Sequence, residues 1–245
     1  MEDVQKLFVF LILTALCGCS ADVGHNDAGT SAKKDAENAV TAPLGSSAAV
    51  TPATVVASPP PDARRVIVCF GDSLTAGYGV DPDLSYPANL QRNLDRNGFA
   101  YRVENMGVSG DTTKDGVARL SRVVALKPEI AVVEFGGNDG LRGLPLGDTQ
   151  RNLDTIVSTL KKAGVRVAMA GITLPRDYGP DYISRFNGMY PAIAKKNGVA
   201  LLPFMYKNVY GLPGFIQADG IHATARGNAQ VALNIESLIA PMLKK

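Results

Sequence analysis

Residues 64–79 read RRVIVCFGDSLTAGYG, an apolar run that ends abruptly at a small, polar corner. Val66 to Phe70 are β-branched or apolar and too few for an independent helix, so the run reads as a buried strand. The strand stops at Gly71. Asp72 and Ser73 can cap and open a helix, while Gly77 and Gly79 let the backbone bend close to a ligand. A strand that feeds a helix through such a corner puts Ser73 at the carboxyl end of a sheet, where open α/β folds place their sites. Taken alone, Ser73 reads equally well as a helix cap and as a nucleophile. The corner is not a G-x-S-x-G elbow, because Thr75 stands where the second glycine would be.

Outward from this corner, strands and helices alternate. Tyr86 to Leu94 carries apolar residues at helical spacing and Asn97-Gly98 ends that helix. Tyr101 to Met106 reads as a second strand. It runs into the glycine-rich corner 107–113, GVSGDTT, and a helix bearing Val117, Leu120, Val123, Val124 and Leu126. Ile130 to Phe135 is a third, central strand ending in Gly136-Gly137-Asn138-Asp139-Gly140. An amphipathic helix over Thr149–Lys162, a strand over Val165–Ile172, a helix running to about Lys196 and a short strand over Val199–Leu202 follow. The loop Gln217–Thr224 leads into a last helix, Ala225 to Leu243. This alternation implies parallel pairing, right-handed crossovers and a three-layer α/β/α sandwich around a parallel five-stranded sheet.

Parallel strands put three corners on one sheet edge, bearing Ser73, Gly110 and Asn138, and a fourth loop there carries Asp219-Gly220-Ile221-His222. The chain has two histidines, and the other, His25, lies in a polar N-terminal stretch. His222 is therefore the domain's available base near neutral pH. Asp219, three residues earlier, is placed for a turn to bring its carboxylate to the ring. Asp72 and Asp139 flank the site and read as turn or capping residues, since the histidine already supplies the base.

The N-terminal region has a different character. Leu7 to Leu16 has the length of a signal-peptide apolar core and ends in Leu16-Cys17-Gly18-Cys19, which resembles a bacterial lipobox with Cys19 as the lipidated residue. Residues 1–19 are thus expected to be a signal peptide with a lipobox. Residues 20–63, rich in Ala, Ser, Thr and Pro, bury too little apolar surface to offset their ordering entropy and read as a flexible tether. An acyl chain contributes about 0.8 kcal/mol per buried methylene, so acylated Cys19 would hold the domain on a membrane. Residues 64–245 form the single folded domain, with Cys69 as its one packed cysteine.

A net charge of +2 with scattered basic pairs disfavours nucleic acid as a partner. The sequence has no P-loop and no G-x-G-x-x-G after a strand to suggest a nucleotide cofactor, and its two histidines and three cysteines supply no metal-ligand spacing. No cofactor and no metal are expected.

In order, Gly71-Asp72-Ser73-Leu74, Gly110, Gly137-Asn138-Asp139 and Asp219-Gly220-Ile221-His222 resemble the four motif blocks of the SGNH, or GDSL, hydrolase family, from about Arg65 to the C terminus. Runs such as GDSLTAGYG, SGDTT, GGNDGLRG and LLPF are closest to its bacterial periplasmic thioesterase I and arylesterase branch. Ala223-Thr224 departs from the Pro-Asn usual there. The resemblance implies the flavodoxin-like fold of that family and a serine esterase acting on short acyl esters, aryl esters or acyl thioesters. It assigns Ser73 as nucleophile, His222 as base, Asp219 as its orienting acid, and the N–H groups of Ser73 and Gly110 with the Asn138 amide as oxyanion donors. Asp72, beside Ser73, and Leu141, Leu144, Pro175 and Tyr178, on loops 141–146 and 174–182, are the candidate substrate contacts. The expected protein is an exported monomer, lipid-anchored at Cys19 on the periplasmic face of a bacterial membrane, the alternative being a soluble periplasmic or secreted form. The alternatives are a carbohydrate or cell-wall O-acetylesterase and a non-catalytic lipoprotein binding module.

Overall fold

A computed structural model describes residues 62–245. The signal peptide and lipobox expected over 1–19, with Cys19, lie outside the described residues, as does the tether over 20–63 apart from its last two positions. The element order is β1 (Arg65–Gly71), α1 (Ser73–Ala76), α2 (Tyr86–Arg96), β2 (Tyr101–Gly107), α3 (Thr113–Ala125), β3 (Ile130–Glu134), α4 (Gly137–Leu141), α5 (Leu146–Lys162), β4 (Arg166–Ala170), α6 (Pro180–Asn197), β5 (Ala200–Leu202) and α7 (Ala225–Ile239). All five strands are parallel, in the order β2-β1-β3-β4-β5.

The central strands are apolar between their ends because helices cover both faces. Val66 to Phe70 and Ile130 to Val133 are buried without interruption. α2 packs with α7 in one layer, while α3 packs on α5 and α5 on α6 in the other. The three-layer sandwich expected from the alternation is the observed architecture. β5, at the sheet edge, is only half-buried and three residues long.

Several boundaries differ from the periodicity reading. α5 begins at Leu146 rather than Thr149, since Pro145 precedes the helix and needs no N–H there. α7 stops at Ile239, where Pro241 leaves only one turn of 3-10 helix over Ala240–Met242. The glycine corner after β3 is itself helical, as α4.

From β1 the chain goes first to one side of the sheet, to β2, and then crosses to the other, to β3. A crevice opens beyond the carboxyl ends of β1 and β3 at this reversal. Ser73 starts α1 directly above it. Strand register sets the depth of the corner: Gly71 pairs with Gly107 of β2 and with Glu134 of β3. A Cβ on Gly107 would sit 2.2 Å from the Ala76 backbone nitrogen and 2.6 Å from the Thr75 carbonyl carbon, so α1 rests on bare backbone. Gly107→Ala is expected to destabilise the protein by roughly 1–3 kcal/mol through overpacking, read as a lower urea midpoint at unchanged m-value.

Candidate active site

Asp72 caps α1, its Oδ1 accepting from the Leu74 N–H at 3.0 Å, and this fixes the turn that presents Ser73 half-buried at the surface. The capping role read for Asp72 is therefore present, and its side chain is only 1% exposed. Asp139 is also buried and structural in its contacts. It accepts from the Thr113 N–H at 2.8 Å and the Thr113 hydroxyl at 2.5 Å, joining the start of α3 to α4.

His222 reaches Ser73 across 149 positions of sequence, with Nε2 2.8 Å from the Ser73 Oγ. Its Nδ1 lies 2.6 Å from Asp219 Oδ2, and Asp219 Oδ1 accepts the N–H groups of Ile221 at 2.9 Å and His222 at 3.0 Å. Nδ1–H donating to the carboxylate leaves Nε2 as an acceptor for the serine hydroxyl. Burial works to raise the Asp219 carboxyl, but the two N–H groups and the imidazole hold it below the usual range. The loop is held in place from both ends. Gln217 donates to the Tyr78 carbonyl at 2.8 Å, and its N–H to the His222 carbonyl at 2.8 Å. The Tyr78 ring lies 4.6 Å from the imidazole. Ala223 is buried and bridges to Ile216, and Thr224 caps α7 through the Gly227 N–H. The residues that replace Pro-Asn after the histidine thus end the loop and start the helix. Asn228 then ties α7 to α2 by accepting from the Tyr86 N–H at 3.1 Å.

The Asn138 amide donates to the Asp111 carbonyl at 2.9 Å and to Asp72 Oδ2 at 3.2 Å. Gly110 stands on the exposed loop after β2, outside the cavity lining, and its carbonyl accepts from Arg142 at 2.8 Å. The N–H groups of Ser73 and Gly110 donate to no acceptor among the described residues.

Ser73, His222 and Asn138 open onto a cavity of about 540 Å³. Of the substrate contacts expected from the sequence, Asp72, Leu141 and Pro175 line it, whereas Leu144 and Tyr178 do not. Leu144 points away into solvent beyond the turn that follows α4. Tyr178 ties its loop to the end of α4, its hydroxyl donating to the Leu141 carbonyl at 2.8 Å. Much of the remaining wall comes from residues outside the motif runs, including Ile172, Ile183, Tyr206 and Tyr210, together with Phe204 of the LLPF run. Phe204, Tyr206 and Tyr210 lie just after β5, at the carboxyl end of a parallel strand, and the rule that located the other corners applies to them equally.

Arg119 of α3 was also not legible from spacing. Its guanidinium lies 4.5 Å from the Phe70 ring and donates to the Gly71 carbonyl at 2.7 Å, the Met106 carbonyl at 2.6 Å and Asp111 at 2.6 Å. It binds the ends of β1 and β2 to the loop carrying Gly110. Among the described residues no group of three or more His, Cys, Asp or Glu side chains could hold a metal ion, and no helix is long and apolar enough to cross a membrane.

The GDSL-like Lipase/Acylhydrolase family description matches residues 69–230. Over 182 residues the chain is 39% identical to Esterase TesA of Pseudomonas aeruginosa, covering 74% of this chain and 90% of that one. Over 161 residues it is 38% identical to thioesterase 1/protease 1/lysophospholipase L1 of Escherichia coli strain K12, covering 65% and 76%. The crystal structure of TesA superposes with a TM-score of 0.71 at 39% identity, over 73% of this chain and all of that one.

Lysine cannot reach the three acceptors that the planar Arg119 fork serves at once. Arg119→Lys should lower stability by about 2 kcal/mol in chemical denaturation, the scale of a lost charge-assisted hydrogen bond.

Proposed function

The chain belongs to the GDSL-like lipase/acylhydrolase family and is a carboxylic ester hydrolase, and on that premise we propose that it hydrolyses short acyl esters, aryl esters and acyl thioesters through an acyl-enzyme on Ser73. The observation that carries this reading is the continuous relay from Asp219 through His222 to the Ser73 hydroxyl, 2.6 and 2.8 Å at its two links, at the mouth of an apolar cavity.

A serine hydroxyl is a weak nucleophile at its own pKa. As Ser73 Oγ bonds to the substrate carbonyl carbon, His222 Nε2 takes its proton, and Asp219 stabilises the resulting imidazolium while holding the ring in register. The carbonyl oxygen becomes an anion. Donors whose hydrogens are free or weakly held serve it best, because they bind the charge that develops rather than the neutral ester. The unclaimed N–H groups of Ser73 and Gly110 fit that role. The Asn138 amide joins them by exchanging its long bond to Asp72 for the oxyanion, while its Asp111 bond keeps the amide plane fixed. Collapse then expels the alcohol or thiol, which takes the proton from His222. Water repeats the sequence to release the acid.

The acyl group occupies the cavity against Leu74, Leu141, Ile172, Leu174 and Pro175. Such a wall suits an acyl or aryl group better than a sugar, which favours the esterase over the carbohydrate O-acetylesterase. We further propose export and anchoring through Cys19, with residues 20–63 as the tether and a monomeric catalytic domain.

A fluorophosphonate probe should label the wild-type protein and leave Ser73→Ala unlabelled; labelling of both would remove Ser73 as nucleophile. Asn138→Ala should bind substrate normally and turn over about 100- to 1,000-fold more slowly. In a panel of aryl esters, acyl-CoA and acetylated sugars, turnover confined to the sugars would give the carbohydrate reading instead.

A further inference from the structure

Two carboxyl groups lie buried directly behind the Ser73 corner. Asp72 is 1% exposed and Glu134, the last residue of β3, is fully inaccessible. Neither has an ion-pair partner among the described residues. Arg119, whose guanidinium binds the Gly71 carbonyl, is committed to Asp111 and to main-chain oxygens. The groups around Glu134 are otherwise neutral. The Thr75 hydroxyl donates to Oε2 at 2.9 Å and the Asp72 N–H reaches it at 3.4 Å. The buried Tyr86 hydroxyl meets Thr75 at 3.1 Å, and the buried Tyr190 hydroxyl is spent on the Phe135 carbonyl at 3.0 Å. Oε1 of Glu134 has no hydrogen-bond partner at all among the described residues.

Two adjoining carboxylates out of water and without a cation do not both ionise, so the pair retains a proton. The donors decide where the charge stays. Asp72 accepts the Leu74 N–H and the Asn138 amide through separate oxygens, and hydrogen bonds to the ionised form favour it. Glu134 has donors on one oxygen only. Burial, and then the Asp72 charge, push the Glu134 carboxyl well above the usual range, while burial lifts Asp72 only to about 6.

We infer that Glu134 is a positioning residue that works as a carboxylic acid: its O–H, on the otherwise unpartnered Oε1, donates to Asp72, and the Asp72 carboxylate so held fixes the Leu74 N–H and the Asn138 amide around Ser73. One negative charge, not two, then stands behind the site where an oxyanion must form. The inference rests on the role proposed above for Asn138, and it adds a buried acid that contacts neither substrate nor reacting atoms.

The test is a Glu134→Gln and Glu134→Leu pair assayed with a short aryl ester and followed by infrared spectroscopy. Glu134→Gln keeps a neutral donor and retains most of the turnover. Glu134→Leu, which leaves Asp72 unsupported, loses about 100-fold in kcat with KM little changed, the scale of a misplaced catalytic group. The wild-type spectrum at neutral pH contains a protonated-carboxyl C=O band that Glu134→Gln lacks. The inference is overturned if Glu134→Gln, melting like the wild type, falls as far as Glu134→Leu, or if the two spectra share the same carboxyl region. Should Glu134→Leu not fold, the infrared comparison decides. Failure of the esterase reading itself would look different, because the wild type would then neither turn over the aryl ester nor take the fluorophosphonate label, or Ser73→Ala would match it in both.

Discussion

The chain turns from β1 into a one-turn helix within two residues, and the packing around Gly71 decides whether it can. A side chain there would meet Thr75 Oγ1 at 2.0 Å and the Glu134 carbonyl oxygen at 2.6 Å. Only a bare backbone lets β1, α1 and the end of β3 come this close. The closeness brings the Ser73 hydroxyl to the rim and sets Asp72 against Glu134. It also places the Asn138 amide within reach of both Asp72 and Asp111.

The same compression shapes the electrostatics. Parallel strands end their carbonyls and side chains at one edge, so acidic and polar groups gather where helices and loops exclude water. The protein compensates in two ways. Arg119 neutralises Asp111 and satisfies the Gly71 and Met106 carbonyls, with its guanidinium against Phe70. Elsewhere the groups are held by neutral donors, as Asp139 is by Thr113 and Asp219 by its own loop. The loop carrying His222 is exposed by comparison. It keeps its shape through backbone bonds, the Gln217 clasp and the capped start of α7 rather than by burial.

Residue order alone was enough to read the strand and helix alternation, the parallel sheet and the four segments that meet at the rim. The reason is that strand burial, glycine corners and helical spacing are local properties written in a few adjacent residues. It was also enough for the residue types of the proposed triad, because one usable histidine with an aspartate three residues before it leaves little choice. What the tertiary structure alone decided depends on groups distant in sequence. Arg119 reveals its role only when α3 lies over the strand ends, Leu144 stays exposed after α4, and Tyr178 is held off the cavity by its bond across to the Leu141 carbonyl. Phe204, Tyr206 and Tyr210 join the wall once β5 takes its place at the edge. Glu134 reads in sequence as one more strand residue. Its meeting with Asp72, out of water and without a cation, is a consequence of register between β1 and β3, and register is set by the packing of the whole sheet.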